Sequence, residues 1–238
     1  MAPSLKDRIA SLEKKIRKMR KLEQEVERLR AVHEIQNLMG RYEYLTIVGD
    51  YSAIIELYAK NTPDLFVNIG VRGHWVGKDA PRRAWENFIR KPRNAGTLAI
   101  HPINTPVIEV AGDGKTAKAV WIANGLYATK DDQTGKGQCT WEWDRYGVDF
   151  IKEDGKWKFW HFHIYRLFRC GWDDKWHNQF SESHEPVSPL DYTEELNPDG
   201  PPIDSYPFTL DSLPKNIPAP PEPYESWDEK TTYGKTLR

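Results

Sequence analysis

The chain has 238 residues, with 34 basic side chains against 35 acidic ones and a formal net charge of −1. That length suits one domain with long extensions, and the even charge gives no general drive toward nucleic acid or a membrane surface. Two cysteines, Cys139 and Cys170, are too few for a disulfide framework, while ten Trp, eleven Tyr and eight Phe can line an aromatic cavity as well as fill a core.

The first residues are charged where a signal peptide needs an apolar run, and no stretch nears the roughly 20 apolar residues of a membrane span. A reduced, cytoplasmic protein is expected. From Leu5 the apolar residues Ile9, Leu12, Ile16 and Met19 follow at 4-3-4-3 spacing, and after a three-residue step come Leu22, Val26 and Leu29. This is a coiled-coil seam with one phase slip. Ten basic and five acidic residues lie between Leu5 and Arg30, which a solvated helix face explains without nucleic acid. Residues 1–30 are therefore an assembly arm, pointing to a homo-oligomer whose number of chains so few heptads do not fix.

The helix continues or restarts from Val32 to Val48, with Ile35, Leu38, Met39, Tyr42, Leu45 and Thr46 on one face, so Tyr42 points inward. Gly49-Asp50 breaks it, Asp50 is placed to cap, and Tyr51 to Lys60 forms a second helix. Asp64 to Gly70 and Val71 to Val76 read as paired strands, and Gly77 to Arg90 as a third helix. Long strands follow at Thr97 to Val110, Lys115 to Thr129, Gln138 to Glu153 and Lys156 to Phe168. Each of the first three ends in turn residues: Gly112-Asp113-Gly114, Asp131 to Gly135, and Glu153-Asp154-Gly155. Helices followed by strands predict an α+β cone, a curved antiparallel sheet folded on helices with one open end. His101 opens the first long strand at that mouth, where an imidazole titrating near neutrality can move protons.

The run Leu38-Met39-Gly40-Arg41-Tyr42, the Gly49-Asp50 break, His101 before Val107-Ile108-Glu109-Val110, and Tyr146 to Phe150 before Asp154-Gly155-Lys156-Trp157 carry a family likeness. Over roughly residues 30 to 170 the chain resembles the SnoaL-like branch of the nuclear-transport-factor-2-like superfamily. The resemblance implies cofactor-independent dehydratases, isomerases, cyclases and dehalogenating lyases, many of them dimers or trimers. The same fold also serves as a non-catalytic binding module and as the small subunit of ring-hydroxylating oxygenases. By this resemblance His101 matches the catalytic histidine and Tyr42 the tyrosine that holds a substrate oxygen. The family's partner aspartate falls at Ile47, a departure that leaves Asp50, Asp144 or Glu142 to orient the histidine, or a mechanism that leans on other groups.

His161, His163 and Tyr165 share one strand face. With His74 or Glu142 the two histidines could hold a metal, but packed, hydrogen-bonded histidines are the commoner case, and no metal or other cofactor is expected. Asn124, Trp143, Tyr146, His161, His163 and Arg72 are candidate substrate contacts, as are Trp141 and Arg145, though the facing of these strands stays open. After Arg169 the chain turns Pro-rich and loses its period, yet Trp172, Trp176, Phe180, Tyr192, Tyr206, Phe208, Tyr224 and Trp227 point to an anchored arm over residues 171–238 that closes the cone or locks subunits. The expected activity is a lyase using His101 as acid or base on a hydroxylated aromatic or polycyclic small molecule. It removes water, or removes formaldehyde from a lignin-derived dimer as similar sphingomonad lyases do. Hydroxysteroid or bile-acid-type and scytalone-type dehydratases are the competing readings, and a non-catalytic module the reading from another class.

Overall fold

A computed structural model describes residues 4–70, 72–90, 95–130, 134–175, 193–203 and 207–234. The first helix, α1 (Leu5–Val48), runs 44 residues without a break. Ser4 starts it by accepting from the Asp7 amide at 3.3 Å while the Asp7 carboxylate accepts from the Ser4 amide at 3.1 Å, which satisfies two of the orphan donors of the first turn. Gly49, at φ 76°, ends it in a left-handed cap. Up to Arg30 every described residue of α1 is exposed, and from Ala31 one face is buried.

Two short helices follow, α2 (Tyr51–Ile55) and α3 (Ala80–Arg90). Asp50 caps α2 by accepting from the Ala53 amide at 3.0 Å. The helix expected to reach Lys60 stops at Ile55: Leu57 and Tyr58 donate in tight turns to the Ile54 and Ile55 carbonyls, and the donors after them turn to the sheet. Ala59 donates to the Phe159 carbonyl at 2.9 Å and Lys60 to the Glu153 carboxylate at 2.8 Å.

Seven strands make one curved sheet: β1 (Phe66–Ile69), β2 (Gly73–Val76), β3 (Leu98–Ile100), β4 (Ile103–Val110), β5 (Thr116–Lys130), β6 (Gly137–Glu153) and β7 (Lys156–Gly171). Their order is β2-β1-β7-β6-β5-β3, with β4 also on β5. Every pairing is antiparallel except that of β1 with β7, which is parallel. The continuous strand expected from Thr97 to Val110 is two strands separated by His101 and Pro102. Pro102 has no amide to offer, and the His101 amide is taken by Glu43, so neither residue can join the ladder. His101 therefore sits in a gap between β3 and β4 rather than opening a strand.

The helices pack on the concave face of the sheet. Tyr42 of α1 meets Phe162 at 4.8 Å and Tyr146 at 6.2 Å between ring centroids, and the Trp85 indole of α3 donates to the Tyr58 hydroxyl at 3.2 Å. Such aromatic pairs add about 1 kcal/mol each beyond their buried area.

The described parts of the C-terminal arm pack on the chain's own domain. Leu196 accepts from the Trp75 indole at 3.0 Å, Asp199 pairs with Arg83 at 2.7 Å, and the Phe208 amide donates to the Leu167 carbonyl at 2.7 Å. The last turn of the arm lies on the convex face. Trp160 there packs against Trp227 at 4.3 Å with the rings tilted by 40°, and a Cβ on Gly147 would stand 2.8 Å from the Tyr233 ring, so the bare strand is what admits that ring. Trp176, Phe180, Tyr192 and Tyr206 lie outside the described residues.

Candidate active site

A narrow cavity of about 60 Å³ opens between α1, α3 and the concave face, walled by Tyr42, Tyr51, Trp85, Tyr127 and Tyr146 and carrying His101, Glu142, Asp144, Arg72, Arg166 and Arg169. Strand parity explains its chemistry. On β6 the residues 142, 144 and 146 point inward together. On β7 a β-bulge intervenes: Glu142 is opposite Arg169 and Trp143 opposite Phe168, but Asp144 is opposite Arg166, leaving Leu167 as the extra residue. The bulge turns two arginines three positions apart to the same side of the sheet.

His101 is 4 % exposed and held at three points. Its amide donates to Glu43 Oε1 at 2.6 Å, its Nε2 donates to Glu142 Oε1 at 2.9 Å, and its Nδ1 stands 3.8 Å from Glu43 Oε1. Gly125 lies beneath the ring, where a Cβ would come within 2.5 Å of the imidazole Cδ2. Arg166 joins the two carboxylates, its Nη1 lying 2.9 Å from Glu142 and its Nε donating to Asp144 at 2.6 Å. Arg169 adds a third cation 3.6 Å from Glu142.

These neighbours set the protonation. Burial works against a charged His101, but Glu142, Glu43 and Asp144 together raise its pKa above the ordinary 6.5. Burial also opposes the Glu142 anion, yet Arg166 and His101 hold its carboxyl well below the usual range. Asp144 is pushed up, first by burial and then by the Glu142 carboxylate, against the pull of Arg166. The hydroxyls of Tyr42, Tyr127 and Tyr146 are driven above their ordinary value of 10 chiefly by burial, so they remain hydrogen-bond donors. The assembly is an imidazole biased toward its protonated form, a fixed carboxylate and neutral phenols, with the Arg72, Arg166 and Arg169 guanidinium groups around them. Such an assembly can give a proton to a leaving group and stabilise oxygen charge.

The sequence-derived candidates divide cleanly. His101, Tyr42, Tyr146 and Arg72 meet at the cavity, with the Arg72 guanidinium 4.6 Å over the Phe88 ring. Asn124 and Trp143 are register partners on the opposite face, and Asn124 accepts from Asn104 at 3.1 Å. Arg145, on that face too, donates to the Lys215 and Ile217 carbonyls at 3.0 and 2.9 Å. His161 and His163 are likewise turned away from the cavity. His161 bonds Asp149 at 2.8 Å and the Asp64 carbonyl at 3.1 Å, and His163 faces the Tyr233 and Ile203 carbonyls at 3.1 and 3.0 Å. Both rings therefore look away from the cavity and tie the sheet to its neighbours, His161 also lying 3.0 Å from the Thr232 hydroxyl of the C-terminal arm and His163 against the arm's carbonyls. No described residue of that arm lines the cavity, and its last described turn, with Trp227 and Tyr233, lies on the convex face.

Of the three carboxylates proposed to replace the one missing at Ile47, Glu142 is the one bonded to the imidazole, while Asp50 is a helix cap. Glu43, Tyr127, Arg166 and Arg169 escaped the sequence reading. For Glu43 a signal existed: it is a lone acid beside Tyr42 on the buried face of α1, where it is 8 % exposed.

The SnoaL-like domain family matches residues 27–163. Among solved structures, a scytalone dehydratase-like protein from Novosphingobium aromaticivorans DSM 12444 is 15 % identical, with 65 % of this chain and 96 % of that one covered at a TM-score of 0.50. A hexachlorocyclohexane dehydrochlorinase, LinA type 2, is also 15 % identical, covering 69 % of this chain and 99 % of that one at a TM-score of 0.50. At such identities the likeness is one of fold, and no curated protein sequence matches the chain.

Proposed function

Because the chain belongs to the SnoaL-like domain family, we propose that it is a lyase that works by acid–base chemistry, without a cofactor, on a hydroxylated aromatic small molecule. The observation that carries this reading is the buried His101 Nε2 to Glu142 Oε1 bond of 2.9 Å, which fixes one imidazole nitrogen and leaves Nδ1 to exchange a proton with a guest. In the dehydration, the imidazolium gives its proton to the leaving hydroxyl as the carbon–oxygen bond breaks. The electron pair for the new double bond comes from a neighbouring substrate C–H or phenol O–H, whose proton returns to the imidazole, so water is the net product. Tyr42 and Tyr146 donate to the substrate oxygen, and Arg72 and Arg166 compensate charge that develops on it.

Within this class, lignin-derived dimers that lose water or formaldehyde come first, ahead of phenolic polyketides and hydroxysteroids. The aromatic walls of the cavity suit a flat ring by their chemistry, and at about 60 Å³ they must part to admit one. The test is turnover by metal-stripped wild type and by His101→Ala on members of all three groups, following water loss and formaldehyde release by mass. Conversion by wild type alone is expected. Tight binding of a panel member without conversion, unchanged in His101→Ala, would overturn the lyase and leave a binding module.

A further inference from the structure

The exposed part of α1 carries eight large apolar residues with nothing against them in the single chain: Leu5, Ile9, Leu12, Ile16, Met19, Leu22, Val26 and Leu29 are between 39 % and 72 % exposed. Three-four spacing puts them on one stripe of the helix. From Ile9 the intervals are 3, 4, 3, then 3, 4, 3, so the spacing is palindromic about Met19. The step that breaks the heptad, Met19 to Leu22, is mirrored by the step from Ile16 to Met19.

A palindromic seam matches itself when reversed. We infer that α1 pairs through residues 9–29 with a second copy of this chain as an antiparallel two-helix coiled coil, with Met19 on the two-fold axis. In that register Ile9 lies level with Leu29 of the second copy, Leu12 with Val26 and Ile16 with Leu22. Every apolar residue then meets an apolar residue, and the phase slip of one helix falls against that of the other. An isologous contact of this kind closes on itself and stops at two chains.

Charge selects the same orientation. Residues 9–18 carry four basic side chains and one acidic, whereas residues 20–29 carry three of each. Parallel pairing would set the strongly basic half against itself, while antiparallel pairing sets it against the balanced half and brings Lys15 level with Glu23 of the second copy. The paired span of 21 residues is about 30 Å long at the usual helical rise, enough to hold the two domains at opposite ends of a rod.

The test uses the full chain. Light scattering after size exclusion is expected to give twice the chain mass for wild type and the single mass for Ile16→Glu/Leu22→Glu. These positions are exposed in the single chain, so circular dichroism of the variant should retain a folded domain. For orientation, Ile9→Cys and Leu29→Cys are each made in a Cys139→Ser background, since Cys139 is an exposed free thiol. Oxidation of the mixture should give the mixed disulfide, and Ile9→Cys alone should give none. A monomeric wild type, a trimer or larger species, a mass unchanged by the two glutamates, or a disulfide dimer of Ile9→Cys alone would each overturn the inference.

Discussion

The imidazole of His101 lies directly over Gly125, in a space that a single methyl group would take. A Cβ at position 125 would stand 2.5 Å from the imidazole Cδ2, 2.9 Å from its Nε2 and 2.7 Å from Glu142 Cγ. Gly125→Ala must therefore push the ring off Glu142 or bend β5. The expected result is a folded protein destabilised by about 1–3 kcal/mol, with kcat lowered at least ~10-fold and KM changed less. Urea melts and steady-state kinetics check this, and full activity in the variant would mean that the position of His101 over the strand does not matter.

Glu142→Gln keeps the shape of the site but removes the charge that most favours the imidazolium. The His101 pKa is expected to fall, and the limb of the pH–rate profile that reports protonated imidazole should move to lower pH. Loss of this orienting, charge-stabilising partner should cost on the order of 10²- to 10⁴-fold in kcat. An NMR titration of the His101 ring gives the shift independently of turnover.

Two histidines give stability opposite slopes with pH. His101 has a raised pKa in the folded state, so its contribution is present below about pH 6.5 and is lost as pH rises through the raised value. Burial lowers His163 from 6.5 to about 4, so its contribution is present above about pH 6.5 and is lost as pH falls toward 4, at a cost of roughly 3 kcal/mol. Asp144, raised to about 7, opposes the His163 slope over the same range, so each histidine's contribution is read by difference between wild type and variant in urea unfolding. His163→Phe should flatten the acid limb, and an acid slope equal to that of wild type would show that another group titrates there.

Asp149 is fully buried and fastens the end of the chain, its Oδ2 accepting from the Thr232 hydroxyl at 2.7 Å and the Tyr233 amide at 2.8 Å. It also faces His161 at 2.8 Å and the Lys118 ammonium at 3.7 Å. Asp149→Ala strips these donors of their acceptor and should cost about 3–5 kcal/mol. Limited proteolysis should then clip the arm near Trp227 far faster than in wild type, while the domain stays intact.

The sequence carried the periodic features of this fold and missed those that depend on a break in period. Helical spacing was enough to turn Tyr42 inward, and turn chemistry placed the hairpins. Parity alone put His161 and His163 on one face but could not say which, because aromatic residues occupy both faces of β7. The bulge at Leu167 hid the arginine pair, since simple alternation sends residues 166 and 169 to opposite sides. Pro102 did signal the interruption beside His101, and its missing amide is the physical reason the strand divides there. The course of the C-terminal arm was illegible because its partners lie across the sheet and impose no repeat on its own residues.

The unbroken run of α1 from Leu5 to Val48 makes the molecule a lever about 66 Å long, with its handle outside the domain and its tip inside the cavity. One continuous helix thus joins the exposed stripe to the residues around His101, with Ala31, Ile35, Leu38 and Met39 seated in the core in between, so the arm is rooted in the domain through the same face that presents Tyr42 and Glu43.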